Sequence, residues 1–343
     1  MKVLHILRSS RLSGAENVVA DICMMFEGEH DMVYCSPEGP IRDALTDRGV
    51  EYLPLKRLCA GEIKNVINLF KPDIIHAHDV CASVLAVYNS GGIPVISHIH
   101  GNSDDMRKLG IRPLLYLIAA NKAKRVIVVS ESCLNDYIFK KQIIEKTVCL
   151  RNIVYTARIN ILLNKDPVDY NFDFIYVGRL SYPKNPIRVA KVASEVLKLC
   201  PGATFGVIGG GELEKEMMAV FQGEGVADRI TFTGMLPYPY KALKQAKCML
   251  MCSRYEGTPV VALEAVTLGV PIVGTPVDGL KGIIHNGING YSSHDDAELC
   301  NYVVELIKNS QLRRTLSHNS IKMAQTMNNV TRYKISLLDI YNM

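Results

Sequence analysis

The chain has 343 residues, 48% hydrophobic and 21% charged, with a formal net charge of +5. That length implies about two domains, each able to bury a full core. The mild basic balance permits attraction to phosphate or anionic lipid but does not indicate nucleic acid, and no run reaches the ~20 apolar residues needed to span a bilayer.

The opening MKVLHILRSS is interrupted by His5 and ended by Arg8, so it reads as a buried strand over Lys2–Leu7 rather than a signal peptide. The loop Arg8–Gly14 leads into a helix from Ala15. Further strands are expected at Asp31–Cys35, Glu51–Leu55, Asp73–His76, Ile93–His98, Arg125–Val129 and Lys146–Leu150. Buried apolar runs separated by helices imply a parallel sheet covered on both faces. Val154–Asn171 breaks this rhythm. It has no long apolar run, contains Asn164-Lys165-Asp166-Pro167, and reads as a linker. The alternation then restarts with a strand at Phe172–Val177, ending in GRLSYPKNP, and a helix at Ile187–Lys198. Thr204–Ile208 ends in Gly209-Gly210-Gly211 before a helix from Glu212. Strands follow at Arg229–Thr233, Cys248–Cys252 and Pro271–Gly274, and a last helix at Ser320–Asn342. The fold class is α/β, with two strand–loop–helix halves divided near residue 160. The ten cysteines form no CxxC. Cys149 in TVCL and Cys248 in AKCMLMC read as reduced core residues of a cytosolic protein.

The chemistry concentrates in Ser253–Gly274, SRYEGTPVVALEAVTLGVPIVG, where Glu256 and Glu264 stand eight residues apart. Thr258 is a plausible N-cap and Pro259 a plausible first helical residue. A helix starting there turns free N–H groups and its positive dipole end toward the Glu256 loop, which suits a phosphate. Glu264 then lies about 7.5 Å further along the axis. Carboxylates accept hydrogen bonds from sugar hydroxyls, so loop and helix together could hold both ends of a sugar nucleotide. Arg179 and Lys184 in GRLSYPKN follow a buried strand. A bidentate guanidinium and a mobile ammonium would neutralise a leaving diphosphate without a metal.

This stretch resembles the E-x7-E motif of the retaining GT-B glycosyltransferases (glycosyltransferase family 4, "glycosyl transferases group 1"). The similarity runs over nearly the whole chain and is strongest from Asp173 to Tyr291. It implies two Rossmann-like domains facing across a cleft: residues 1–160 on the acceptor side, 161–320 for the nucleotide sugar, and a helix over 321–343 crossing back to the first domain. The implied activity moves a sugar from a nucleotide diphosphate sugar, with UDP as the expected nucleotide. The acceptor would be a hydroxyl of a lipid-linked or oligosaccharide molecule in cell-surface polysaccharide assembly. No cofactor, metal or nucleic acid is expected. The family diphosphate pair corresponds to Arg179 and Lys184, the ribose carboxylate to Glu264, and the sugar-positioning group to Glu256 with Gly257, Thr258, Pro259 and Val260. A family histidine on the donor sugar corresponds to His100 in VISHIHG, although His98 shares its strand face and the two are not separable from sequence. Gly14 in SSRLSGAEN, Gly209, Gly211 and Thr233 would approach the donor. For the glycines a plain turn is an equally good reading, and no GxGxxG fingerprint is present at either site. Leu150-Arg151-Asn152-Ile153 and Gly282 depart from the family pattern, which leaves donor specificity open.

His76 and His78 in DIIHAHD read as structural. With His98 and His100 they form two H-x-H pairs on separate strands, and the expectation is that they bind no metal. Met106–Val126 carries Arg107, Lys108, Arg112, Lys122, Lys124 and Arg125, with no acidic residue, around the apolar run Pro113–Ala120. It reads either as an interfacial helix on the inner membrane face or as an ordinary half-buried helix. Two other functions stay open on the same site: a sugar-nucleotide epimerase, and a silent sugar-nucleotide binding protein.

Overall fold

The computed structural model describes residues 1–101 and 103–343. The chain divides into two compact units, Met1–Tyr155 with Asn329–Met343, and Thr156–Asn328. In the first unit the strands are β1 (Lys2–Ile6), β2 (Asp31–Pro37), β3 (Tyr52–Leu55), β4 (Ile74–His78), β5 (Val95–Ile99), β6 (Arg125–Val128) and β7 (Thr147–Cys149). They lie in the order β3-β2-β1-β4-β5-β6-β7, and every pairing is parallel. In the second unit β8 (Phe174–Val177), β9 (Phe205–Ile208), β10 (Ile230–Gly234), β11 (Cys248–Met251), β12 (Ile272–Gly274) and β13 (Gly290–Ser292) follow the order β10-β9-β8-β11-β12-β13, again all parallel.

Both units are therefore Rossmann-like, as expected. The strands at their centres, β4, β8 and β11, are buried along their whole length. This is why β8 and β11 read as continuous apolar runs rather than as alternation, whereas β4 carries His76 and His78 in the same buried setting. In each sheet the order reverses at one place, between β1 and β4 and between β8 and β11. Ligands of open α/β sheets bind outside the carboxyl ends of the strands at such a switch point.

Three local expectations change. Within the expected linker, Thr156–Leu162 is a helix that buries Arg158, Ile159 and Leu162 in the second unit. Those three positions share one helical face, so a short pattern with an arginine in it hid a packed element. The last helix is two helices, Ser310–Met327 and Val330–Asn342. They part at Asn328-Asn329, where the Asn329 side chain accepts from the Arg332 amide and starts the second as an N-cap. The second helix lies in the first unit: the Tyr341 hydroxyl bonds His76 Nδ1 at 2.8 Å, and Lys124 Nζ donates to the Tyr341 carbonyl at 2.8 Å. Finally, none of the ten cysteines forms a disulfide, but Cys149 is exposed and Cys59 and Cys81 are half-buried. Cys149 sits on β7, the edge strand, where the outer side chains meet solvent. Among the described residues no helix is long and apolar enough to cross a membrane.

Candidate functional site

The switch point of the second sheet is occupied by two loops. One runs from the end of β8 through Arg179 to Asn185, and the other from the end of β11 through Glu256 to Pro259. The first closes in a short turn, Tyr182–Lys184, ended by Asn185 in the left-handed region (φ 52). Arg254 fastens the two loops together. Its amide donates to the Pro183 carbonyl at 2.8 Å, its guanidinium donates to Asn185 Oδ1 at 3.0 Å, and the same group lies 4.5 Å from the Tyr182 ring centroid. In consequence Lys184 Nζ reaches both carboxylate oxygens of Glu256, at 2.6 and 2.7 Å, and the Ser253 hydroxyl donates to the same carboxylate at 2.7 Å. Glu256 is buried, whereas the Lys184 side chain keeps 25% of its exposure. The structure thus joins two of the residues singled out from sequence. Arg179 is exposed at the start of the first loop.

The helix carrying Glu264 spans Val260–Thr267, so it begins one residue later than expected. Pro259, not Thr258, is the cap, with extended backbone (ψ 113). Its carbonyl takes the first helical bonds, from Ala262 at 3.1 Å and Leu263 at 3.3 Å, so the amides of Val260 and Val261 precede the ladder. Gly257 is pinned from behind, because a Cβ on Gly279 would stand 1.9 Å from the Gly257 carbonyl oxygen.

Glu264 is buried and holds an unexpected partner. Arg158 Nη1 donates to its Oε1 at 3.0 Å and also to the Tyr240 hydroxyl, and neither the arginine nor the glutamate side chain is more than 5% exposed. Leaving such a buried partner unpaired costs about 3–5 kcal/mol, so Arg158 fixes the place of the Glu264 side chain. Sequence reasoning missed Arg158. The available signal was one arginine whose next residue and fourth neighbour, Ile159 and Leu162, are apolar.

Gly209 and Gly211 have a structural use. A Cβ at Gly209 (φ +131) would meet the Gly178 oxygen at 2.0 Å, and one at Gly211 would meet the Leu180 oxygen at 2.3 Å. Both glycines let the loop after β9 lie directly on the loop after β8. The Thr233 hydroxyl turns back to the Val207 and Gly234 carbonyls at 3.4 and 3.0 Å.

In the first unit Gly14 opens the helix Gly14–Met25 behind Ser13, whose hydroxyl donates to Glu16. Strand order brings β1, β4 and β5 side by side, with His5 level with His76 and His78 level with His98. Five histidines therefore share one cluster, and His5 was not anticipated. His5 Nδ1 is 3.0 Å from His78 Nε2, and His78 Nδ1 is 2.9 Å from His100 Nε2. The rings stack in pairs, His76 on His78 at 4.2 Å and His98 on His100 at 4.0 Å between centroids. Burial lowers the pKa of His5 and of His100 to about 3 and holds His76, His78 and His98 well below the ordinary imidazole range. All five rings are neutral at pH 7. Two triplets, His5-His76-His78 and His78-His98-His100, place ring nitrogens within 4.8 Å of one another, the spacing a metal could use. His98 is fully buried on β5, and His100, just past its end, is half-buried.

The basic stretch centres on a helix, Ile111–Lys122. Its charges are more engaged than the sequence suggested. Arg107 pairs with Asp104 and Asp136 at 3.1 and 2.7 Å, Arg112 pairs with Asp105 at 2.5 Å, and Lys122 lies 4.6 Å from the Tyr88 ring centroid. Arg125 bonds the Lys124 carbonyl at 3.5 Å, and Lys108 is exposed. The acids lie outside Met106–Val126 in sequence. Ile111, Leu114, Leu115 and Ile118 are exposed at 80, 50, 43 and 38%. Their spacing puts them on one face of the helix.

Two family models match the chain. The model described as Glycosyltransferase Family 4 covers residues 12–158, and the one described as Glycosyl transferases group 1 covers residues 164–323. A UDP-Gal:alpha-D-GlcNAc-diphosphoundecaprenol alpha-1,3-galactosyltransferase of Escherichia coli is 24% identical over 335 residues, covering 85% of this chain and 83% of that protein. An uncharacterized glycosyltransferase of Methanocaldococcus jannaschii, MJ1178, is 28% identical over 281 residues, covering 79% of this chain and 75% of its own length. Among solved structures, Anabaena Alr3699/HepE in complex with UDP-glucose superposes with a TM-score of 0.83 at 20% identity, covering 100% of this chain and 99% of that one.

Proposed function

We propose that this chain, a Glycosyltransferase Family 4 domain followed by a Glycosyl transferases group 1 domain, moves a sugar from a UDP-sugar to an acceptor hydroxyl with retention of configuration and without a metal. The observation that carries the proposal is the contact of Lys184 with Glu256 at the second switch point, in front of the helix that bears Glu264. A cation, an anion and unused helical amides there match a charged donor with hydroxyl groups at both ends. The E. coli relative's name specifies UDP-Gal as donor, and the Anabaena protein was solved with UDP-glucose, which supports the nucleotide assignment.

In this reading Glu264, held by Arg158, accepts from the ribose hydroxyls. Glu256 and the Gly257–Val260 backbone orient the transferred sugar. Lys184 moves from Glu256 onto the diphosphate, and exposed Arg179 joins it. Gly14, Gly209, Gly211 and Thr233 enter only as loop positions near the donor, and His100 of the first unit as a neutral hydrogen-bonding group for the sugar. The bond from the anomeric carbon to the phosphate oxygen breaks. The acceptor oxygen bonds that carbon on the same face, and its proton passes to the departing diphosphate. Stabilising the charge on that diphosphate is the main electrostatic task.

The test is UDP release from UDP-glucose, UDP-galactose and UDP-N-acetylglucosamine, with and without saccharide or polyprenyl-linked acceptors. Release that depends on acceptor is expected. Release or epimer formation without acceptor would assign an epimerase, and binding without either would assign a silent receptor.

The exposed row on helix Ile111–Lys122 supports a lipid-facing role for the first unit, which suits a lipid-linked acceptor in cell-surface polysaccharide assembly and a seat on the cytoplasmic face of the membrane. The apolar row is the stronger argument, since Arg107 and Arg112 are already paired. Replacing Ile111 and Leu114 by Ser should weaken binding to phosphatidylglycerol vesicles about 100-fold or more, the scale of two aliphatic side chains withdrawn from lipid. Unaltered co-sedimentation would leave the row an ordinary solvated face.

A further inference from the structure

We propose that His5 and His78 are positioning residues that set the tautomer of His100, and so decide whether its remaining ring nitrogen donates or accepts a hydrogen bond. The inference rests on the reading of His100 as a sugar-contacting group. It begins from two contacts, His5 Nδ1 to His78 Nε2 at 3.0 Å and His78 Nδ1 to His100 Nε2 at 2.9 Å. Each is a nitrogen–nitrogen hydrogen bond and needs one N–H and one lone pair. A neutral imidazole has one of each. His78 takes part in both bonds, so it must donate in one and accept in the other.

Only two arrangements satisfy that condition. If His5 donates from Nδ1, His78 accepts at Nε2 and donates from Nδ1, and His100 accepts at Nε2 and carries its proton on Nδ1. If the direction reverses, all three protons sit on Nε2. In either case the three rings share one tautomer. His100 Nδ1 is buried without a hydrogen-bond partner among the described residues, and it is a donor in the first arrangement and an acceptor in the second. The tautomer of a histidine is set by the bond its other nitrogen makes, and here that control runs through His78 to a residue on the first strand.

Two competing uses of the cluster fit less well. Proton transport needs an exit, but His5 is fully buried and its Nε2 has no hydrogen-bond partner among the described residues, so the row ends blind there. A metal needs deprotonated nitrogens converging on one point. Both triplets that have the spacing for a metal include His78, and both His78 nitrogens are already engaged with other rings, so an ion would have to break one of those bonds.

The experiment is long-range proton–nitrogen spectroscopy of the full chain labelled with nitrogen-15 histidine, which reads the protonated nitrogen of each ring. One shared tautomer for His5, His78 and His100 is expected. His5→Phe keeps a flat aromatic ring and removes the first bond, so His78 is released from one direction. His100 should then show a mixture of tautomers. The kcat for UDP release from the UDP-sugar that the wild type turns over should fall about tenfold, as for a misoriented contact, with the melting temperature within about 3 °C. His5→Asn, which restores a polar atom near the Nδ1 position, should recover both the single tautomer and the rate. An unlike tautomer in any of the three rings overturns the proposal, as does a His100 spectrum indifferent to His5→Phe. Ring shifts induced by one equivalent of zinc would replace it with a metal site. If the wild type shares one tautomer yet releases no UDP with any donor, the transfer reading fails while the tautomer coupling stands.

Discussion

Acidification from pH 7 to pH 5 is expected to unfold the Met1–Tyr155 unit, with its C-terminal helix, before the Thr156–Asn328 unit. His5, His76, His78 and His98 are all at most 1% exposed, and their protonation is suppressed in the fold by burial. In an unfolded chain the same rings take up protons near pH 6.5. Below that pH the unfolded state therefore binds more protons than the folded one, and stability must rise with pH across the window. The contribution is complete above about pH 6.5 and is lost progressively as pH falls toward about 3, the value to which His5 is lowered. Each ring weighs about 1.4 kcal/mol per pH unit, and four together about 5 kcal/mol per unit, against a typical domain stability of about 5–15 kcal/mol. The histidines of the second unit, His285, His294 and His318, are exposed, so that unit holds no comparable buried cluster among the described residues. The chain has no tryptophan, so calorimetry or circular dichroism between pH 7.5 and 4.5 is the suitable measurement. Two transitions should separate as pH falls, and His98→Leu should make the first one shallower by about one proton. A first transition that does not move between pH 7 and pH 5 would show that these rings are charged or hydrated in the fold.

That cluster also marks where reading the sequence stops. The alternation of buried runs and helices exposed the two sheets, because strand and helix periodicities are local properties of the chain. The position of Glu256 and Glu264 was legible for the same reason: a loop, a proline and a helix lie in consecutive residues. Partnership across the fold was not. His5 meets His78 because β1 lies beside β4 and not beside β3, and strand order is set by crossover connections that leave no mark in either strand. Arg158 reaches Glu264 from a segment that looked like a linker. Asp104, Asp105 and Asp136 return onto a stretch chosen for having no acids. Gly209 and Gly211 stood in a plausible ligand loop, but what a Cβ would meet there is another loop's backbone, a contact set by the pairing of β8 with β9.

Glu256→Ala should reduce sugar transfer by roughly two orders of magnitude or more, the scale of losing a preorganised charge at the reacting centre. The fold should survive it. Glu256 is bonded to a lysine that retains 25% exposure and to the Ser253 hydroxyl, so the variant leaves a cation that water can reach rather than a buried unpaired charge. A melting temperature within about 4 °C of the wild type is expected. Kinetics then distinguish what Glu256 does. If it only held Lys184 in place, Lys184 would be freer for the diphosphate in the variant, and KM for the donor would fall or stay while kcat changed little. If Glu256 orients the sugar as the acceptor oxygen approaches, kcat falls and donor affinity is nearly preserved, because the interaction is made mainly in the transition state. Glu256→Gln sharpens the comparison. The amide keeps the shape and still accepts one hydrogen bond from Lys184, but it carries no charge. A loss close to that of the alanine variant assigns the effect to the carboxylate charge, whereas a near-normal rate assigns it to packing of the loop. Full turnover in Glu256→Ala would remove Glu256 from the reaction and leave Lys184 and Arg179 to carry the donor site without it.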